Sequence, residues 1–250
     1  MKKPKVIHWF RQDLRLLDNP AFYDAAKNSS ILPIYILDDE NSKEFSMGEA
    51  SRFWLHHSLA SLHKSLDENL SIYHGNPLEI LLELIDRINI EEIYWNRCYE
   101  PWRIKRDTQI KKELESKGVK VNTLNGSLLW EPWTIKKGDG TPYKVFTPFF
   151  RKGCLLSVEP RKPLPSPNNP DFLNDSEKSL EINDLTLLPS VRWDIEMKPF
   201  WNIGEDGANK RLSEFLDNGI ANYKNGRNFP AKPFVSKISP HIHFGELSPN

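Results

Sequence analysis

The sequence predicts an α/β fold built on a doubly wound, five-stranded parallel sheet. Short β-rich runs alternate with amphipathic helical runs through the first half of the 250-residue chain. The chain is 38% hydrophobic and 27% charged, which is an ordinary balance for a protein with a core. Alternation of strands and helices requires crossover connections, which are right-handed and cover both faces of a parallel sheet.

The strands are predicted from apolar, β-branched or aromatic runs, in the order KVIHWF (5–10), ILPIYIL (31–37), SIYHG (71–75), EEIYWN (91–96) and VKVNTL (119–124). The first long helix is predicted over 48–70, because leucines recur at helical spacing at Leu55, Leu59, Leu62 and Leu66. Pro77 stands at a first-turn position for a second helix, and a third covers 101–118, ending at Gly118.

Ligands of such sheets bind outside the carboxyl ends of the strands. Four polar residues lie at or just past the ends of predicted strands: Arg11, Asp38, Asn96 and Glu100. The sequence has no Gly-x-Gly-x-x-Gly fingerprint and no Walker-type phosphate loop, so no motif supports a dinucleotide in this first domain.

The segment HWFRQDLRLLDNPAF (8–22) places four charges directly after the first strand. Two interpretations are open: a strand end that faces a ligand, or a salt-bridged loop that holds the fold together. We expect Asp18 to cap a helix that begins near Pro20. We expect Arg11, Asp13 and Arg15 to form a buried salt-bridge cluster, with Arg11 close to any ligand at the strand ends.

The second half of the chain has a different character. Five prolines between 160 and 170 exclude regular helix and predict an extended connector. From about 204 the pattern is helical again, with an apolar stripe at Ala208, Leu212, Phe215 and Leu216. The predicted units are an α/β domain over 1–130, a connector over 131–200 and the start of a helical domain over 201–250.

The segment FVSKISPHIHFGELSPN (234–250) carries two helix-start signals. Ser239-Pro240 predicts an N-cap followed by a short helix that Gly245 ends, and Ser248-Pro249 predicts a further helix, hence a longer parent chain. Ser236, Lys237 and Ser239 before a helix form a candidate anion site, suited to a pyrophosphate. Tyr223 could stack on a flat ligand.

The spacing of His241 and His243 argues against a metal site, because two residues apart on a helix they point to different sides and no third ligand is apparent. Packing or hydrogen bonding is the favoured interpretation, and no metal is expected.

Charge and cysteine content limit the possible environments and partners. Lys plus Arg and Asp plus Glu both number 34, so any polyanion must be bound by a local cluster. Only Cys98 and Cys154 occur, without metal spacing, which favours a reducing cytosol. No apolar run is long enough for a membrane span.

Six blocks in order resemble the DNA photolyase/cryptochrome family: WFRQDLRLLDNPAF, YEPWRIKRD, YKVFTPFFR, GEDGANKRLSEFL, YKNGRNFP and SKISPHIHFGELSP. The resemblance implies an antenna domain, a connector and the start of an all-α FAD-binding domain, of the class I type and acting as a monomer. It also implies light-driven repair: FAD passes an electron to a cyclobutane pyrimidine dimer in UV-damaged DNA, which splits.

The resemblance carries specific residues with it. Tyr223 matches a FAD-contacting Tyr, and Val235, Ser236, Lys237, Ile238 and Ser239 match the Thr-Ser-x-Leu-Ser segment around the FAD phosphates. Val235 replaces the Thr and removes one hydroxyl. No catalytic residue is expected within this chain.

The resemblance also implies that a second chromophore, an antenna pigment, can be present. Trp102 and Arg103 stand where folate-using members carry Asn and Glu, which disfavours a folate. A deazaflavin or flavin antenna, or none, remains open. The alternatives to a photolyase are a cryptochrome-type blue-light sensor, a stand-alone antenna or nucleotide-binding module without catalysis, and a non-photochemical α/β nucleotide-binding enzyme.

Overall fold

The structure is a computed structural model that describes residues 3–229 and 231–250. Its centre is a parallel sheet of strands β1 Lys5–Phe10, β2 Ser30–Leu37, β3 Ser71–His74, β4 Glu92–Asn96 and β5 Lys120–Leu124, in the order β3-β2-β1-β4-β5. This confirms the predicted five-stranded, doubly wound sheet. A two-residue strand, β6 Asp171–Phe172, pairs in parallel with the start of β2 and was not predicted.

The helices are α1 Pro20–Ala25, α2 Glu49–Ser65, α3 Pro77–Ile88, α4 Pro101–Ser116, α5 Phe146–Pro148, α6 Asp194–Met197, α7 Glu205–Glu214, α8 Tyr223–Gly226 and α9 Ser239–His243. Short 3-10 or π turns join the later helices. Helix α2 is shorter than predicted. Asp67 and Glu68 have φ values of 50° and 62°, and a right-handed helix requires negative φ.

The sheet is covered on both faces, because alternate side chains of a strand point to opposite sides. One core packs β1 residues such as Phe10 against the predicted leucine face of α2, which is fully buried. The other packs Trp9 and Ile34 against α3 and α4. The two layers hold the carboxyl ends of β1, β2 and β4 side by side at one edge.

The predicted stripe on α7 is only partly correct. Ala208 is fully buried, but regular α-helix ends at Glu214, so Phe215 and Leu216 lie in a π turn, and Leu216 is half exposed.

Two predicted helix caps are wrong. The cap of α1 is Asn19, whose side chain accepts the N–H of Phe22 at 3.1 Å, while Asp18 precedes it in a left-handed conformation, with φ of 51°. Helix α9 begins at Ser239 itself, after Ile238, and no side chain caps it.

Candidate functional site

A cavity of about 210 Å³ opens at the carboxyl edge of the sheet, and we call it the carboxyl-edge pocket. Its walls come from the ends of β1 and β2, the first turns of α4 and the end of α9. The lining includes three arginines and several flat or apolar side chains: Trp9, Arg11, Tyr35, Asp38, Phe45, Met47, Glu100, Trp102, Arg103, Arg106, His243 and Phe244. Arg11, Asp38 and Glu100 thus line it as strand-end residues, as the sequence predicts.

Two of the pocket arginines are held by buried carboxylates. The Arg11 guanidinium donates to Asp107 and to the carbonyl of Asn96. Arg106 donates to Asp38 and Asp107, both at 2.8 Å. Burial would raise the pKa of Asp107, but Arg11 and Arg106 outweigh it and hold that pKa below its usual value. The network therefore keeps its charges and fixes the pocket wall.

Aromatic rings separate these cations. The guanidinium carbons of Arg11 and Arg106 lie 5.0 and 5.1 Å from the Trp9 ring centre, within cation–π range. Arg103 and Arg106 lie 4.6 and 5.2 Å from the Trp102 ring centre. Cation–π contacts thus join the three pocket arginines to Trp9 and Trp102.

Three buried N–H donors of pocket residues have no hydrogen-bond partner within the described chain: Trp9 Nε1, Arg11 Nε and Arg103 Nε. Arg103 Nε lies 3.5 Å from Glu100 Oε1, but its direction does not make a hydrogen bond. Buried donors without partners are rare and costly, but all three atoms are closed off from solvent and from the cavity, so they lie inside the packed wall and do not face a ligand.

The chemistry of the pocket follows from these groups. Its three arginines are matched by Asp38, Asp107 and Glu100, so the pocket is close to neutral. Burial raises the pKa of Tyr35 to about 12, so its hydroxyl stays protonated. A nearly neutral pocket with aromatic lining favours a flat, uncharged ring over a strongly charged anion.

The loop after β1 is buried as predicted, but its charges pair differently. Arg11 pairs with Asp107, while Asp13 accepts the backbone N–H of Arg11 at 2.7 Å. Arg15 makes no ion pair within the described residues. It donates to four backbone carbonyls, those of Leu17, Asp18, Gly126 and Gly245. A guanidinium has five donors in a fixed fork, which suits it to carbonyls from several segments.

Asp18 joins three parts of the chain instead of capping a helix. Its buried carboxylate accepts from the Arg161 guanidinium and from the Leu164 N–H in the connector. It also accepts from the Ser248 hydroxyl and from Asn250 Nδ2. Arg161, together with these hydrogen bonds, keeps the pKa of Asp18 low despite its burial.

The predicted anion site, residues 235–239, lies on the surface and is irregular in structure. Lys237 is left-handed, with φ of 54°, and Ile238 after it is right-handed. Consecutive residues of opposite hand turn successive N–H groups to one side, which forms an anion-binding concavity. The hydroxyls of Ser236 and Ser239 have no hydrogen-bond partner among residues 3–229 and 231–250.

Tyr223 begins α8 and is 40% exposed. Its ring contacts Phe215 edge-on at 5.9 Å, and no hydrogen bond among the described residues joins it to 235–239. Helix α8 does lie next to this segment, because a Cβ at Gly226 would stand 2.4 Å from Phe234 Cβ.

His241 and His243 have separate roles. His241 is buried and its Nδ1 lies 2.5 Å from Glu246 Oε2, whereas His243 is exposed and lines the carboxyl-edge pocket. Among the described residues, no group of three or more His, Cys, Asp and Glu could hold a metal ion. In the same part of the chain, every helix is too short or too polar to cross a bilayer.

Sequence reasoning missed part of the site. Trp9 and Tyr35 belong to strands, where an aromatic residue first indicates core, and Arg106 and Asp107 lie in a charged helical turn typical of a solvated face. The available signal was the clustering of four charges within Arg103–Asp107, in the first turns of the helix predicted after the fourth strand.

Comparison with known proteins identifies the fold and the family. The sequence model described as DNA photolyase matches residues 6–168. The deoxyribodipyrimidine photo-lyase of Agrobacterium fabrum is 37% identical over all of this chain and 52% of its own length. Cryptochrome-2 of Arabidopsis thaliana is 32% identical over 98% of this chain and 41% of its own. The chain spans about half the length of the curated relatives it matches.

The crystal structure of a bacterial class III photolyase from Agrobacterium tumefaciens superimposes with a TM-score of 0.92 at 36% identity, covering all of this chain and 52% of the other. This likeness corrects the class I type expected from the sequence. Matched by the family model over most of its length, and by these relatives from end to end, the chain belongs to the DNA photolyase/cryptochrome family.

Proposed function

We propose that this chain forms the light-harvesting and cofactor-anchoring part of a photolyase that splits cyclobutane pyrimidine dimers in UV-damaged DNA. The observation that carries the proposal is the carboxyl-edge pocket, which Trp102 and three arginines line, in a chain of this family. The light-driven electron transfer is the chemistry that bound FAD supplies. The same proposal includes the domain bounds 1–130, 131–200 and 201–250, a monomeric state and a cytoplasmic location.

The residues proposed to hold FAD are Tyr223 and the 235–239 segment. The N–H groups around Lys237 and the hydroxyls of Ser236 and Ser239 fit a pyrophosphate, because they are accessible and lack other partners. Helix α9 has five residues, so its dipole contributes little. Val235 has no hydroxyl, and this removes one of the donors that the family segment offers.

The carboxyl-edge pocket is proposed to hold the second chromophore. The partly exposed Arg103 guanidinium would donate to ring carbonyls, and the partly exposed Trp102 would stack on the ring. Arg103, where folate-using members have Glu, disfavours a folate, so a flavin or deazaflavin is the ligand class favoured here.

Repair is tested with the protein expressed from its complete reading frame. A dimer-containing oligonucleotide is illuminated with blue light in the presence of the purified, reduced protein, and dimers are counted against a dark control. We expect light-dependent loss of dimers. Absence of repair by a protein with full flavin occupancy would contradict the photolyase assignment.

The FAD site is tested with Ser236→Ala and Ser239→Ala combined, in the same complete protein. Loss of two hydrogen bonds to charged oxygens predicts a flavin Kd raised about tenfold or more. Ser176→Ala, on an exposed connector serine, is the control. An unchanged flavin Kd in the double variant would remove the phosphate role from both serines.

The 250-residue chain by itself is expected neither to retain FAD nor to repair DNA. FAD requires a preformed pocket, and the 235–239 segment offers one wall of it. Flavin absorbance after gel filtration checks this, and stoichiometric flavin with light-dependent repair would contradict it.

A blue-light sensor is the second candidate, favoured by 32% identity to a plant cryptochrome. The repair assay separates the two functions, since a sensor with full flavin occupancy leaves the dimers intact.

A further inference from the structure

Helix α9 lies between the two proposed ligand sites. Its first residue, Ser239, ends the 235–239 segment, and His243 with the following Phe244 lines the carboxyl-edge pocket. Five helical residues extend only about 7.5 Å. Any shift of α9 would therefore move a wall of both sites together.

A buried pair of ionisable residues holds this helix. His241 Nδ1 lies 2.5 Å from Glu246 Oε2, and the two side chains are 1% and 0% exposed. The other carboxylate oxygen, Glu246 Oε1, accepts from Trp54 Nε1 at 2.9 Å. The Glu246 N–H also donates to the His241 carbonyl at 2.8 Å. The carboxylate thus ties α9 to α2 of the α/β domain with both oxygens.

Aromatic rings enclose the pair and exclude water from it. Trp54 meets the His241 ring edge-on at 5.1 Å and lies parallel to Phe244 at 6.2 Å. Trp201 closes the other side, with its ring 5.1 Å from Trp54. In such a setting each hydrogen bond is strong and each lost partner is costly.

Packing α9 against α2 does not by itself require a buried hydrogen-bonded pair. Burying a carboxylate is costly, and apolar side chains of the same volume often pack as well or better. A directional hydrogen-bonded pair differs from apolar packing in that it fixes the rotation and register of the helix that carries it. Together with the hydrogen bonds from Leu14 and Arg15 to the carbonyls of Phe244 and Gly245, the pair holds α9 in one orientation.

We propose that Glu246 and His241 are positioning residues, which hold α9 on Trp54 so that residues 235–239 present their N–H and hydroxyl groups to the flavin pyrophosphate. The proposal rests on the proposed function, since it takes these residues as the phosphate site.

The test compares Glu246→Met with Glu246→Gln in the complete protein. Methionine keeps the length and removes both acceptors, whereas glutamine can still accept from Trp54 and donate to a neutral His241 ring. We expect Glu246→Met to raise the flavin Kd about tenfold or more and Glu246→Gln to stay within about threefold. Hydrogen exchange should accelerate at amides 236–246 and stay unchanged in β1–β5, which uniform destabilisation would not produce.

Two results would overturn the proposal: a flavin Kd within about twofold of the parent in Glu246→Met, or faster exchange spread equally over the sheet. If Glu246→Met does not fold, Trp54→Phe decides, because it keeps the aromatic packing and deletes one hydrogen bond. A rise of about threefold or more in flavin Kd then supports positioning, and no rise overturns it. Failure of the phosphate site itself appears separately, as an unchanged flavin Kd in the Ser236 and Ser239 double variant.

Discussion

The carboxyl-edge pocket and the 235–239 segment offer two kinds of ligand site in one chain. The pocket is built on strand ends, and buried carboxylates hold two of its three arginines, Arg11 and Arg106. The segment is irregular and accessible, and its donors come mainly from backbone conformation. Strand ends and α4 supply most of the pocket wall, and His243 and Phe244 complete it, whereas the surface segment forms an open concavity.

The two regions meet at the loop after β1. The Leu14 N–H donates to the Phe244 carbonyl at 3.2 Å, and Arg15 donates to the Gly245 carbonyl at 2.9 Å. At the start of α7, the carboxylate of Glu205 accepts the N–H groups of Leu16 and Leu17, both at 2.8 Å. The charged loop that follows the first strand is therefore a structural joint, which also supports the wall of the pocket.

The largest effect is expected from Arg11→Met, which removes a charged side chain from the wall of the carboxyl-edge pocket. The change leaves the Asn96 carbonyl and one Asp107 oxygen buried without a partner, so the free energy of unfolding should fall by about 4 kcal/mol. Lys105→Met, on the exposed face of α4, should change it by less than about 0.5 kcal/mol. Urea unfolding of both variants measures this, and equal losses would show that the Arg11 network is not a fixed wall.

Gly245→Ala should disrupt the contact between the loop after β1 and residues 244–245. Gly245 has φ of 69°, and a Cβ there would stand 2.0 Å from the Gln12 carbonyl oxygen, so we expect a loss of about 3 kcal/mol. Gly138→Ala is the control, because nothing lies within 4 Å of its Cβ and its φ is ordinary. A midpoint of urea unfolding that matches the control would mean that the loop and residues 244–245 separate freely.

The sheet beneath the pocket should respond to acid through His8, which is fully buried with neither ring nitrogen bonded within the described residues. Burial lowers its pKa from 6.5 to about 4. Because the folded pKa lies below the unfolded one, this stability is complete above pH 6.5 and is lost as the pH falls towards 4. Between pH 8 and pH 5 the loss is about 2 kcal/mol, at 1.36 kcal/mol per pKa unit.

His8→Val should remove this part of the acid sensitivity, since a β-branched apolar residue suits a central strand. Thr108→Val, at an exposed position of α4, removes no titratable group and is the control. The measurement is chemical unfolding at pH 5 and pH 8, and the prediction fails if His8→Val keeps the full loss between them.

The smallest effect separates a helix cap from a ligand-binding serine. Asn76 caps α3 and accepts the Leu78 N–H at 3.0 Å, so Asn76→Ala should cost about 1 kcal/mol of unfolding free energy. Ser239→Ala should cost almost nothing, because that hydroxyl caps no helix. If Ser239→Ala lowers the unfolding free energy as much as Asn76→Ala does, the Ser239 hydroxyl has a structural role.

The sequence by itself determined the strands, the long helices and the fold class, because these follow from local periodicity and from Pro and Gly at element ends. It also placed Arg11, Asp38 and Glu100 at the correct edge, since strand ends of a parallel sheet share one side. It did not determine which partner each charge takes. Asp18 bonds to residues more than 140 positions away, and Glu246 bonds to Trp54 across 192 positions. Only the packing of distant segments brings such groups together, so the caps, the joint and the donor set of the pocket were decided by the tertiary structure.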